Sequence, residues 1–157
     1  MSLVFDKKGI HYDYHDPSDL EDLLQTTILN REKLKRSHKL IKKIKNKNIS
    51  KYNLKFRKNF AFTNKSPEKR VILVLGQVET DNSIIYGVPG EEIKKTNYSL
   101  VLNVRKDFPD YHIIYKPHPD IENNLRCKGL DEDDIEEVAD SIAYKVAIHD
   151  LFKLSDR

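Results

Sequence analysis

The chain has 157 residues, the length of one domain or of a piece of a larger one, with 38% apolar residues, 34% charged residues and a formal net charge of +3. That composition supports a core of ordinary size under a heavily charged surface and restricts disorder to local stretches. No apolar run approaches the roughly 18 residues of a membrane span, Met1-Ser2-Leu3 leads to Asp6 and Lys7, and Cys127 stands alone; we therefore expect no transmembrane helix, secretory leader, internal disulfide or zinc site, in keeping with a reducing compartment.

Leu3-Val4-Phe5, stopped by Asp6-Lys7-Lys8-Gly9 and followed by the weakly alternating Ile10-His11-Tyr12-Asp13-Tyr14, predicts a small hairpin or extended pair around Gly9. A helix starts near Ser18: the serine can cap it, Glu21 stands three residues on as in a capping box, and acids crowd the first turn. Leu20, Leu23, Leu24 and Ile28 form its apolar stripe, and beyond Asn30 a second helical stretch keeps a thinner stripe of Leu34, Ile41 and Ile44 among lysines. Between Arg31 and Lys58 thirteen Lys or Arg face a single acid, Glu32. Such a block is a footprint for the phosphates of nucleic acid or of an anionic membrane surface, or a solvated helix face. Residues 46–69 read as a connector, in which Tyr52, Phe56 and Phe60 interleave with Lys55, Arg57 and Lys58 as in some single-strand binders, though no recognised nucleic-acid motif accompanies them.

Val71 to Leu75 is an uninterrupted apolar run of strand length, as expected of a parallel strand buried on both faces. A loop from Gly76 to Thr96 follows, with Gly87-Val88-Pro89-Gly90 as a turn; then Leu100, Val101, Val104 and Phe108 are spaced as a helix face behind Asn97. A second strand runs from His112 to Lys116 and stops at Pro117-His118-Pro119-Asp120. Residues 107–140 hold eleven acids, and their only Lys or Arg are Lys116, Arg126 and Lys128. Short helical turns are expected from Asp134 to Ala139, a third strand from Ser141 to Val146, and a helix start between Ala147 and Leu154. This alternation predicts an α/β fold with a partial Rossmann-like parallel sheet preceded by a helical segment, dividing into 1–69 and 70–157. Such sheets bind ligands at the carboxyl ends of their strands, here the loops opening at Gly76 and Pro117.

The first loop, Gly76-Gln77-Val78-Glu79-Thr80-Asp81-Asn82-Ser83, carries two carboxylates that could act as nucleophile and as general acid or base. It reads equally as a polar turn in which Asp81 or Ser83 caps a helix. In the second loop two prolines stiffen the backbone around His118, and a fixed imidazole beside Lys116 suits a phosphate; the alternative is a rigid turn with an incidental histidine. The remaining histidines form no metal-ligand spacing, and no Walker-type loop or GxGxxG is present.

The run from Val71 through Ile84, the helix after Asn97, and His112-Ile113-Ile114-Tyr115-Lys116-Pro117-His118-Pro119-Asp120 together resemble the bacterial capsular polysaccharide biosynthesis and export proteins of the KpsC/LipB type. The opening Phe5-Asp6-Lys7-Lys8-Gly9-Ile10-His11-Tyr12-Asp13 with Pro17-Ser18-Asp19-Leu20-Glu21 is similar to the segment before that run, so the likeness covers most of the chain. The resemblance implies a GT-B-like retaining β-Kdo glycosyltransferase that uses CMP-Kdo as donor, needs no cofactor and no metal, and serves a lipid-linked saccharide acceptor. It implies catalytic roles for Asp81 first and Glu79 second, and substrate-binding roles for Gln77, Ser83, Lys116, His118 and Pro119. It also implies a cytoplasmic protein, peripheral at the inner face of the inner membrane. The later elements of the family pattern, including a Gly-Trp-Gly element, are missing, and the sequence has no Trp. The resemblance therefore implies a fragment, inactive alone and prone to self-association through an incomplete sheet. A basic nucleic-acid- or membrane-binding module without catalysis is the alternative.

Overall fold

The computed structural model describes residues 5–9, 13, 16–49, 69–87 and 95–155. The first helices are α1 (Asp19–Thr26) and α2 (Arg31–Asn46). Three strands follow, β1 (Val71–Leu75), β2 (His112–Lys116) and β3 (Ser141–Ile142), all parallel, with β2 in the centre. The connection from β1 to β2 carries α3 (Asn82–Ile85) and α4 (Asn97–Asp107). That from β2 to β3 carries α5 (Pro119–Glu122), a 3-10 turn at Glu132–Asp134 and α6 (Ile135–Val138), and α7 (Ile148–Leu154) comes last.

The sheet is buried on both faces, as the unbroken apolar runs require. Ile72 and Val74 of β1 and Ile113 and Tyr115 of β2 point to one side, where Val101 of α4 and Ile135 of α6 complete a core cluster. Val71 and Ile114 point to the other, against Ala143, Val146 and Leu151 of α7. The alternation is the two-residue period of a strand. Register pairs Val71 with His112 and Leu75 with Lys116, so both strands end level. At the opposite end Arg105 of α4 donates to the carbonyls of Tyr111 (2.9 Å) and Val138 (3.0 Å) and to Asp140. Asp140 in turn accepts the amide of Ile113 at 2.7 Å. Burial works to raise the Asp140 pKa, but the Ile113 amide and the Arg105 guanidinium outweigh it and hold the carboxyl below the usual range.

Several expectations change. The third strand stops at Ile142 instead of Val146, because Tyr144 and Lys145 form a turn in which Lys145 has φ 55°, a left-handed conformation incompatible with a strand. The loop after β1 contains the short helix α3. α1 ends at Thr26, leaving Ile28 outside it, because Asn30 caps α2 by accepting the amide of Lys33 at 2.9 Å. No residue of α1 or α2 is buried. The strand partner expected after Gly9, the aromatics of the connector and the turn residues 88–90 lie outside the described residues.

The segment before α1 is a cap. Ser18 and Glu21 form the expected capping box. The carboxylate of Asp6 accepts amides from Lys8, Gly9, Asp19 and Leu20, so side chains satisfy the first donors of the helix. These backbone bonds, led by that from Asp19, hold the Asp6 carboxyl down to about 2. Because its folded value lies below the ordinary 3.8, the stabilisation is present above that value and is lost as pH falls through about 2. A carboxyl-detected NMR titration should give Asp6 a midpoint near 2, with the Asp19 amide shifting in step; a midpoint at the ordinary value would refute the cap.

Candidate functional site

Parallel strands deliver three loops to one edge of the sheet, and the polar groups there are held tightly. Gly76 donates to the carbonyl of Lys116 at 2.8 Å, adding one rung beyond β1, and a side chain at Gly76 would run into the Tyr115 phenol. The next turn of backbone is read by one buried residue at the start of α4. Asn97 accepts the Gln77 amide (2.9 Å) and donates to the Gln77 carbonyl (2.9 Å), while its own amide donates to Glu79 Oε1 (2.6 Å). Asn97 itself sits where it does because Thr96 caps α4 in a capping box with Ser99. Glu79 Oε2 accepts the amide of Leu130 at 2.9 Å. Both Glu79 oxygens thus hold backbone.

Beneath this lies a second set of bonds. Tyr115 donates to Glu132 Oε1 at 2.7 Å, and Glu132 Oε2 accepts the Gly129 amide at 2.7 Å. Burial, helped by the Glu132 hydrogen bond, pushes the Tyr115 phenol far above its ordinary value, so it stays protonated and donates. Lys116, 4% exposed, pairs with buried Glu122 at 2.5 Å, and burial lowers its pKa while Glu122 opposes the shift. Glu122 Oε1 also accepts the amide of Lys145 at 2.6 Å, and the Glu122 carbonyl accepts from the Tyr144 hydroxyl. The loops after β2 and β3 are therefore joined through one carboxylate.

The expected site residues separate into groups. Glu79 and Lys116 are committed to these internal bonds. The Gln77 backbone is tied to Asn97 and its side chain is exposed. His118 precedes α5 and its Nδ1 accepts the Asp120 amide at 3.2 Å, which assigns the proton of the neutral ring to Nε2; Pro119 is the first residue of that helix. Asp81 stands at the start of α3 but makes no capping bond; its carboxylate pairs with Arg126. Asp81, Ser83 and Arg126, with Thr80 and Asn82, line an open depression of about 440 Å³. Next to it, a narrower cleft of about 190 Å³ is lined by Tyr115, Pro117, Tyr144, Glu132, Lys128 and, again, Arg126, among others. Its walls are aromatic and apolar at Tyr115, Pro117, Ile121, Ile142 and Tyr144, and its rim carries Arg126 and Lys128 beside the acids Glu132, Asp133 and Glu136, a lining that suits a planar ring with polar substituents.

Sequence reasoning gives no site role to Arg126, Asn97, Glu122 or Glu132. A signal existed for the first: of the three cations in the acidic stretch 107–140, each is matched to a carboxylate, Lys116 to Glu122, Arg126 to Asp81 and Lys128 to Asp133. Among the described residues no group of three or more His, Cys, Asp or Glu is arranged to hold a metal ion.

Known proteins are similar to this chain in sequence and in fold. The family described as capsule polysaccharide biosynthesis protein matches residues 1–152. The chain is 38% identical over 156 residues to the capsule polysaccharide modification protein LipA of Neisseria meningitidis serogroup A, covering 99% of this chain and 21% of LipA. It is 33% identical over 124 residues to the lipopolysaccharide-processing protein LpsZ of Rhizobium meliloti, covering 77% of this chain and 27% of LpsZ. Among solved structures it is similar to the β-Kdo 2,4 transferase KpsC of Thermosulfurimonas dismutans, with a TM-score of 0.72 and 26% identity over 97% of this chain and 46% of that one. The β-Kdo 2,7 transferase KpsC of the same organism gives a TM-score of 0.63 and 28% identity, covering 96% and 43%. The chain spans about a fifth of the length of LipA.

The Glu79 bridge rests on the absence of a side chain at Gly129, where a Cβ would overlap the Glu79 carboxylate. Gly129→Ala should displace that carboxylate and strip the Asn97 and Leu130 amides of their acceptor. We expect a loss of about 1–3 kcal/mol in urea unfolding, against little change for Gly9→Ala, where no atom lies within 4 Å.

Proposed function

This chain belongs to the capsule polysaccharide biosynthesis protein family, and on that premise we propose that it is part of a retaining glycosyltransferase that transfers Kdo from CMP-Kdo to a lipid-linked saccharide. The sheet would be a portion of one Rossmann-like half of a GT-B-like enzyme, and the chain alone would carry part of an active site. The observation that supports this most is the contrast within one loop: Glu79 accepts a backbone amide on each oxygen, whereas Asp81, two residues on, presents its carboxylate beside Arg126 at the rim of an open depression. The similar solved structures are named as Kdo transferases.

In the proposed reaction an Asp81 oxygen attacks the anomeric carbon of Kdo, and the bond to the CMP phosphate oxygen breaks with its electron pair leaving on CMP. An acceptor hydroxyl then attacks the same carbon, the bond to Asp81 breaks with its electron pair returning to the carboxylate, the hydroxyl proton passes to water, and the second inversion restores the configuration. The nucleotide is assigned to the narrower cleft, and His118, next to Pro117 of its lining, is assigned to the phosphate through Nε2, its ring oriented by the Asp120 amide. Gln77 and Ser83 are assigned to the sugar. Lys116 acts at one remove, holding the loops after β2 and β3 through Glu122. In the complete enzyme Asp81→Asn should lower turnover by orders of magnitude with CMP affinity nearly unchanged. His118→Ala should instead weaken CMP binding by about 1.5–3 kcal/mol. Calorimetry and single-turnover transfer assays separate the two, and normal turnover by the Asp81 variant would refute the assignment.

A second feature fits an acceptor held in lipid. No described helix is long and apolar enough to cross a membrane, yet α2 carries eight Lys or Arg in 16 residues, with Leu34, Ile41 and Ile44 partly exposed along one edge. We assign α2 to an anionic membrane surface. Replacing Lys39, Lys42, Lys43 and Lys45 by Gln should abolish co-sedimentation with phosphatidylglycerol vesicles; undiminished sedimentation would refute it.

A further inference from the structure

Resting on the transfer chemistry just proposed, we infer that Arg126 recognises the carboxylate that a 2-keto acid sugar carries on its anomeric carbon, and so selects such sugars over neutral ones. The residue is built for a fixed position. It follows α5, where the Asp120 carbonyl accepts the amides of both Leu125 (2.8 Å) and Arg126 (3.2 Å), and Asn124 turns the chain in the left-handed region at φ 57°. The backbone of Arg126 is therefore anchored although its side chain is half exposed.

Its guanidinium has capacity to spare. Nη2 pairs with Asp81, and among the described residues Nη1 and Nε make no hydrogen bond. The other cations of this edge are engaged: Lys116 with Glu122, Lys128 with Asp133, and Lys145 over the Tyr144 ring at 5.4 Å. Arg126 also lines both the depression at Asp81 and the cleft beside it, the junction at which the anomeric carbon of a nucleotide-linked sugar must lie.

The chemistry makes a cation there necessary. A carboxylate nucleophile attacking a carbon that itself bears a carboxylate brings two anions into contact, and like charges that close repel. A guanidinium is a planar fork of five donors and can bond two carboxylates at once, which an ammonium on a flexible stem does less well. Arg126 holds Asp81 on one side and the sugar carboxylate on the other. A neutral sugar would leave half of the fork unmatched.

The test uses the complete transferase, with CMP-Kdo as donor and with CMP, free Kdo and the Kdo methyl ester as competitors. Arg126→Gln should raise KM for CMP-Kdo about tenfold or more, while inhibition by CMP stays within about twofold. Wild type should bind Kdo better than its methyl ester, a preference abolished in Arg126→Gln and partly kept in Arg126→Lys. An unchanged KM, or CMP inhibition weakened in parallel with KM, overturns the assignment, the second by giving Arg126 to the phosphate. Should the Gln variant not fold, equal binding of Kdo and its ester by wild type overturns it as well. Wild type that transfers nothing from CMP-Kdo overturns the functional reading and this inference together; wild type that transfers while Arg126→Gln keeps its KM removes this inference alone.

Discussion

The parallel pairing of β1 with β2 is the constraint from which the rest of the molecule follows. Because Leu75 and Lys116 are in register, both strands finish at the same level and their chains must part there, each with backbone groups that no longer have a ladder to join. Gly76 prolongs the pairing by one hydrogen bond, and only a glycine passes the Tyr115 hydroxyl at that point. Beyond it the protein replaces the ladder with side chains. Asn97 imitates a neighbouring strand by bonding both the amide and the carbonyl of Gln77, and carboxylates collect amides from Asn97, Leu130, Gly129 and Lys145. Each of these groups would cost on the order of 1–3 kcal/mol if left buried without a partner. Three acids of the second half of the chain, Glu79, Glu122 and Glu132, are therefore committed to loop backbone.

This explains what was and was not legible in the sequence. The strands Val71–Leu75 and His112–Lys116 have the bounds that their apolar runs suggest, and the capping box at Ser18 and the lysine-rich α2 are local patterns with local causes. The length of β3 was not legible, since the residues after Ile142 are as apolar as a strand but turn at Lys145 under a long-range bond to Glu122. Nor was the difference between Glu79 and Asp81. Two acids in one polar loop look alike until Leu130, 51 positions away, is seen to donate to one of them, and Arg126, 45 positions away, to the other.

α1 and α2 obey another rule. With no buried residue in either, they owe little to tertiary packing and depend on end effects: Asp6, Ser18 and Glu21 at the start of α1, Asn30 at the start of α2, and Lys43 and Lys45 in the last turn of α2, where cations favour the helix dipole. Leu23 and Leu24, 61% and 73% exposed, form an apolar edge without a cover among the described residues. Neither helix is anchored by a buried face of its own.

The two loop carboxylates show how one short segment can hold an acid bound to backbone and an acid left at the surface together. A carboxylate that accepts two backbone amides, one on each oxygen, has lone pairs directed into the backbone and acts as a clamp between segments. One beside a half-exposed guanidinium keeps its charge in reach of solvent and of a ligand, while the cation holds its direction. Glu79 can reach Asn97 and Leu130 because its side chain is one methylene longer than that of Asp81 and because Gly129 leaves the space. The clamp also fixes the backbone that leads to Asp81, since Asn97 holds Gln77 and Glu79 alike. The carboxylate that faces the depression is thus positioned by the one that holds the backbone.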